Sequence, residues 1–170
     1  MKNHIVHEVF DLLIKRGMTF ASAESCTGGN IAHQITLIAG SSEIFKGTAV
    51  TYATSTKTKV LGVPIETIEK HTVVSREVVE DMAKGVRQLM EADFGVATTG
   101  VAGPGGGTEQ SPVGTVWIGV ACQDGVVSDC YHFNGDRHSV INQATEAAYT
   151  MLKNRIEQSP VGATDIKQEC

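Results

Sequence analysis

Between a short apolar run and a helical pattern lies Ala23-Glu24-Ser25-Cys26-Thr27-Gly28-Gly29, a small nucleophile just ahead of two glycines. A hydroxyl placed there meets the unpaired N–H groups at the start of the following helix. Such donors bind an anion or stabilise an alkoxide, and those of Thr27, Gly28 and Gly29 are the candidates for an oxyanion hole. The pattern presents a serine on a strand–turn–helix, yet it is not the G-x-S-x-G elbow. A plain tight turn uses the same residues. Cys26 is a rival nucleophile, because a helix N-terminus lowers a thiol pKa, whereas burial would leave it inert. To attack a carbonyl, Ser25 needs a base. None of the six histidines stands in a motif that recommends it. Lys57 is the better partner, since a desolvated lysine can lose its charge and accept a proton. A solvated lysine in the polar run Thr54 to Lys59 is the plainer reading. Tyr52, at the end of the preceding strand, can relay or orient a proton, or simply close the edge of the core.

Two further features could hold the rest of a substrate. Gly103-Pro104-Gly105-Gly106-Gly107-Thr108 is not a Walker A loop, because no Gly-Lys-Ser/Thr ends it. Backbone N–H groups near Gly105, Gly106 and Thr108 could still cradle a phosphate, or the run could be an ordinary surface connection. Arg137 opens the last helical pattern and can pair with a phosphate or carboxylate, Asp136 included. Cys130, His132 and His138 lie close in sequence, but their spacing matches no common metal-ligand pattern, and no metal site is expected.

These residues need a scaffold, and the chain has the length for one domain with a real core: 170 residues, 41% hydrophobic and 19% charged. Aromatic residues make up only 5%, which argues against a stacking platform for single-stranded nucleic acid. A formal charge of -5 disfavours a duplex-binding surface. No apolar run suits a bilayer span and the N-terminus lacks a signal-peptide pattern, so neither nucleic acid nor membrane is an expected partner and the cytoplasm is the expected compartment. Cys26, Cys122, Cys130 and Cys170 form no framework and read as reduced thiols.

Periodicity predicts a helix from Asn3 to Arg16, a strand from Thr19 to Ala23 and a helix from Thr27 to Ile38. A strand over Ile44 to Tyr52 and a short helix over Ser55 to Leu61 follow, the helix capped by Thr54 or Ser55 and closed by Gly62 and Pro64. Ser75 caps a longer helix with Val78, Val79, Met82, Val86 and Leu89 on its apolar face. Phe94 to Val101 and Gly114 to Cys122 read as strands, and Asp124-Gly125 turns the chain into Val126 to Phe133. A last helix runs from Arg137 or Ser139 to Ile156, leaving residues 158–170 as a frayed tail after a 1–157 domain. Strands alternating with helices and then pairing in a hairpin specify an α/β three-layer sandwich: a mixed β-sheet flanked by helices. In such folds sites collect beyond the carboxyl ends of the strands, where the Ser25 turn, the Tyr52–Lys57 segment and the glycine-rich loop would converge.

Taken together, several ordered motifs resemble one family. These are Ala23 to Gly29, Ala39-Gly40-Ser41-Ser42, Leu61-Gly62-Val63, Thr99 to Thr108, Pro112 to Trp117, and Phe133-Asn134-Gly135-Asp136-Arg137. They are similar to the C-terminal domain of the competence/damage-inducible protein CinA, over nearly the whole chain. Stand-alone members of that family resemble nicotinamide-nucleotide amidases, which convert nicotinamide mononucleotide to nicotinate mononucleotide and ammonia in pyridine-nucleotide salvage. The resemblance implies Ser25 as nucleophile, Lys57 as its base and Tyr52 assisting, with no metal or redox cofactor, a small-molecule nucleotide substrate and a homodimer. The chain departs from the family's Tyr-Ser-Asn-Glu-x-Lys at Thr54 and Ser55, and has Asn134 where proline is common. Those changes leave two other readings: a nucleotide-binding module without turnover, or an amidase for a related amide.

Overall fold

In the computed structural model, residues 4–160 are described, and they form the expected sandwich. The elements in chain order are α1 (His4–Arg16), β1 (Phe20–Glu24), α2 (Asn30–Thr36), a 3-10 turn (Ser41–Glu43), β2 (Phe45–Val50), α3 (Thr54–Leu61) and α4 (Ile65–His71). There follow α5 (Arg76–Leu89), β3 (Phe94–Gly100), β4 (Thr115–Cys122), β5 (Gly125–His132) and α6 (Arg137–Gln158). The five strands order as β2-β1-β3-β4-β5. β1 runs parallel to both β2 and β3, while β4 and β5 are antiparallel additions. This is the mixed sheet that the element order demands, since helices must carry the chain back between parallel strands and a tight turn suffices for the hairpin.

Two apolar layers hold the helices against the sheet. Phe20 and Val96 share one with Val9 and Leu13 of α1, Ile31 and Ile35 of α2, and Tyr149 and Leu152 of α6. Ala21, Ala23 and Ala97 share the other with Leu61 of α3 and Val78, Met82 and Val86 of α5. The small side chains let α5 lie close to the strands. At Gly95 an added Cβ would stand 2.1 Å from the Ala83 carbonyl oxygen, so no larger residue fits without moving the helix.

Several elements differ from the expected ones in ways that matter for the site. α2 begins at Asn30 rather than Thr27, because Gly28 (φ 60°) and Gly29 (φ 99°) take the left-handed conformation and extend the turn. The N-cap of α3 is Ala53, not Thr54 or Ser55. α4 follows Pro64 in a stretch to which no element was assigned, and Leu89, assigned to the apolar face of α5, is exposed. Ser75 caps α5 as expected, accepting from the Val78 N–H. α6 starts at Arg137, with the Asp136 side chain accepting from the Ser139 N–H, and continues through Gln158. The greater part of the expected tail, residues 161–170, lies outside the described residues. Among the described residues no helix is long and apolar enough to cross a membrane.

Candidate active site

Strand alternation separates two neighbouring acidic and nucleophilic side chains. Phe20, Ser22 and Glu24 face the α2 and α6 layer, and Ala21 and Ala23 face α5. Period two therefore sends Glu24 under the start of α2 and Ser25 toward α3. The Ser25 N–H donates to the Thr98 carbonyl, which carries the β1–β3 ladder one residue past the strand.

Glu24 is fully buried, yet it has no cationic partner among its contacts. Its Oε2 accepts from Thr27 Oγ1 at 2.7 Å, Gly29 N at 3.0 Å and Ile31 N at 3.1 Å. Its Oε1 accepts from Ala32 N at 3.0 Å and Ser22 Oγ at 3.2 Å. The carboxylate thus takes the first free N–H groups of α2, a favourable place for negative charge. This corrects the expectation for Gly28 and Gly29. The Gly29 N–H serves Glu24, the Gly28 N–H serves the Ser25 carbonyl, and neither is free for an oxyanion. The Thr27 side chain is likewise committed, to Glu24 and to Thr98 Oγ1 at 2.8 Å. Glu24→Gln replaces an acceptor with an amide N–H₂ facing donors. It is expected to cost about 3 kcal/mol of stability, the scale of a buried network losing partners. Chemical denaturation checks this: an unchanged midpoint would show that the carboxylate is dispensable.

On the opposite side of β1, Lys57 of α3 is buried with no accessible surface. Its Nζ lies 3.1 Å from Ser25 Oγ and donates to the Thr51 carbonyl oxygen at 2.6 Å. No carboxylate contacts the amine, so burial pushes the Lys57 pKa below its ordinary value, with the neighbouring Cys26 as the smaller, opposing influence. Burial also pushes the Cys26 thiol up to about 12, which keeps it protonated and unreactive at neutral pH. Of the two adjacent candidates, Ser25 is the one whose hydroxyl lies within hydrogen-bond distance of the amine.

Both residues open onto a cleft of about 300 Å³. The carboxyl ends of β1, β2 and β3 supply Ser25, Tyr52 and Gly100 to it, and the following loops add Thr54, Gly105 and Gly106. Arg137 reaches the same edge because β5 pairs antiparallel with β4 and delivers the chain there, Thr115 lying opposite His132. Its guanidinium donates to the Gly103 carbonyl at 2.7 Å and to Tyr52 Oη at 2.8 Å, and so ties three elements around the cleft mouth. Tyr52, read from the sequence as able to relay or orient a proton, thus bonds through its hydroxyl to Arg137. Tyr52 is 60% exposed and engages Arg137, while the backbone of Thr51 holds the amine. Asp136, the alternative partner considered for Arg137, instead caps α6. Thr108 stands apart from the cleft. It closes a turn with Ser111 and lines an adjoining hollow of about 420 Å³ that shares Val73, Val74, Val101 and Gly106 with the cleft. No group of three potential ligands for a metal occurs among the described residues.

Sequence reasoning missed Glu24, Thr51, Thr99 and the Val73–Val74 wall. Glu24 carried a signal, an acid closing an otherwise small and apolar strand. Thr51 acts through its carbonyl, which no side-chain pattern announces. Thr99 Oγ1 donates to the Val73 carbonyl at 2.8 Å, fastening the wall to β3.

The family model described as the CinA C-terminal domain matches residues 2–156. A CinA-like protein of Fervidobacterium nodosum is 44% identical over 148 residues, which cover 87% of this chain and 36% of the relative. A CinA-like protein of Syntrophus aciditrophicus is 50% identical over 145 residues, covering 84% of this chain and 34% of the relative. The chain thus spans about a third of the length of the curated relatives it matches. Among solved structures, a CinA superfamily protein from Klebsiella pneumoniae superposes with a TM-score of 0.90 at 33% identity, covering 94% of this chain and 99% of that one. A CinA superfamily protein from Escherichia coli gives a TM-score of 0.86 at 29% identity, covering 91% and 90%. The chain belongs to the CinA C-terminal domain family.

Proposed function

We propose that this protein is an amidase acting on nicotinamide mononucleotide through a Ser25–Lys57 dyad. The observation that carries the reading is a buried amine, uncompensated by any carboxylate, 3.1 Å from a serine hydroxyl at the floor of an open cleft. With the amine neutral, the hydroxyl donates to Nζ and is poised for attack. Ser25 Oγ bonds to the carboxamide carbon as its proton passes to Lys57, and the carbonyl π pair moves to oxygen. The N–H of Cys26, the residue after the nucleophile and part of the cleft lining, is our candidate donor to that oxyanion. Protonated Lys57 then gives its proton to nitrogen as the C–N bond breaks, and ammonia leaves. Water attacks the acyl-enzyme with Lys57 again as base, Ser25 regains its proton, and the acid is released.

Arg137 is the cation at the cleft and the natural partner for the substrate phosphate. Gly105 and Gly106, on the same wall, are candidate backbone donors to it. Arg137→Ala is expected to raise KM for the mononucleotide about tenfold, one charge-assisted contact at an exposed site. It should raise KM for the dephosphorylated riboside much less, by no more than the loss of its bonds to Gly103 and Tyr52 causes. Equal effects on both substrates would remove Arg137 from phosphate binding. Thr54 also lines the cleft, so the departure from the family pattern at that position falls on the cleft wall. This motivates the second reading, a nucleotide-binding module without turnover, which thermal stabilisation by the mononucleotide without ammonia release would support. Specificity constants across several carboxamides test the remaining reading, an amidase for a related amide.

A further inference from the structure

The cleft ends at a boundary that it shares with the adjoining hollow. Val73, Val74, Val101 and Gly106 line both spaces, of about 300 and 420 Å³, and so stand between them. No lysine or arginine lines the hollow. Its hydroxyls, the Gln110 amide and the valine side chains suit an uncharged ring with polar edges. The two consecutive valines are fixed at both ends, because they join the end of α4 to the Ser75 cap of α5. Thr72, just before them, has φ 68° and ψ 163°, a backbone conformation that a β-branched residue rarely adopts. Strain of that kind persists only where the surroundings enforce it, and it gathers at ligand-binding segments. Here the Thr72 N–H donates to the Ile68 carbonyl at 2.9 Å, and Ser75 Oγ donates to the Thr72 carbonyl at 2.8 Å. Thr99, 1% exposed and itself on the cleft wall, donates from Oγ1 to the Val73 carbonyl at 2.8 Å.

We propose that Val73 and Val74 determine specificity by closing the cleft at the length of a mononucleotide, with Thr99 as the positioning residue that holds them. The proposal rests on the cleft as the binding site of the proposed substrate. In that binding mode the phosphate lies by Arg137 and Gly106, and Gly106 is itself a boundary residue. A group esterified to the phosphate is therefore directed at the boundary. With the wall in place it meets valine side chains, and beyond them lies the hollow. Truncating Val74 joins the two spaces and admits a longer nucleotide. Freeing the Val73 carbonyl from Thr99 loosens the same wall without altering its side chains.

Binding, not turnover, tests this. The probes are nicotinamide mononucleotide and nicotinamide adenine dinucleotide, the same head group extended through its phosphate. Calorimetry on the full chain carrying Ser25→Ala, chosen so that neither probe is consumed, gives Kd for both. This parent is expected to prefer the mononucleotide. Adding Val74→Ala should tighten the dinucleotide at least about tenfold, the lower end of what a methylene-sized change in a pocket is worth. The mononucleotide should change by less than about threefold. Thr99→Val should move the ratio of the two Kd values in the same direction, and Thr99→Ser, which keeps the hydroxyl, should restore it. Equal weakening of both probes in Thr99→Val would mean a merely structural role and would overturn the Thr99 assignment. Should Thr99→Val not fold, Thr99→Ala read against Thr99→Ser makes the same comparison. An unchanged ratio in Val74→Ala, or a parent that binds the two probes equally or binds neither, overturns the proposal. If the wild type releases no ammonia but the ratio shifts as stated, the amidase reading fails and the wall assignment stands.

Discussion

Ser25→Ala is expected to reduce amide hydrolysis by at least ~10⁴-fold while leaving the fold intact. The magnitude follows from the loss of the group that forms the acyl-enzyme in the proposed mechanism. Cys26 is not expected to take over, because burial pushes its thiol up to about 12 and so keeps it protonated at neutral pH. The fold should survive because the backbone of Ser25, not its side chain, is tied into the sheet through Thr98. The Glu24 network, which fixes the turn, is also untouched by the substitution. Steady-state rates together with circular dichroism check both halves. Retention of most activity in Ser25→Ala would move the nucleophile elsewhere in the cleft, with Cys26→Ala as the next variant to assay.

Lys57→Met should be as damaging to catalysis and informative about stability. The rate is expected to fall ~10⁴-fold, the upper end of what a positioned general base provides. In the wild type kcat/KM should rise with pH and level off above the depressed Lys57 pKa, below the ordinary lysine value of 10.5. The same shift fixes a sign for stability. Between the folded-state and unfolded-state pKa values, the unfolded chain binds more protons at Lys57 than the folded one. Unfolding free energy therefore rises with pH through that window. Below the folded pKa the penalty for burying the charge is complete, and above 10.5 it is gone. The stability of the wild type relative to Lys57→Met should accordingly improve as pH climbs through the window. A difference that is flat across that range would mean that Lys57 has an ordinary pKa and is not a poised base. Denaturant titrations at several pH values measure it.

Where the sequence carried strong periodic signals, it foretold the structure. Val78, Val79, Met82 and Val86 marked α5, Ser75 marked its start, and Asp124-Gly125 marked the hairpin. The errors cluster at short elements and at polar networks. α4 and the 3-10 turn are too short for a period to register, and propensity is a weak guide at that length. The start of α2 moved because Gly28 and Gly29 adopt left-handed backbone and Glu24 reaches across to cap the helix. That choice by one carboxylate also took the Gly29 N–H that the sequence had offered to an oxyanion. Spacing alone could not pair Ser25 with Lys57, since the two lie 32 residues apart and meet only because β1 and β2 are neighbours in register. Tyr52 was legible as a residue of the cleft, but its partner Arg137 is brought to it by the β4–β5 hairpin. That contact depends on topology, not on local pattern.

The most direct test is ammonia release from nicotinamide mononucleotide by the purified chain, with Ser25→Ala and Lys57→Ala assayed beside it. The account predicts one ammonia released per nicotinate mononucleotide formed by the wild type, and none above background from either variant. No release by the folded wild type, with the mononucleotide bound in the cleft, would contradict it and leave the chain a nucleotide-binding module.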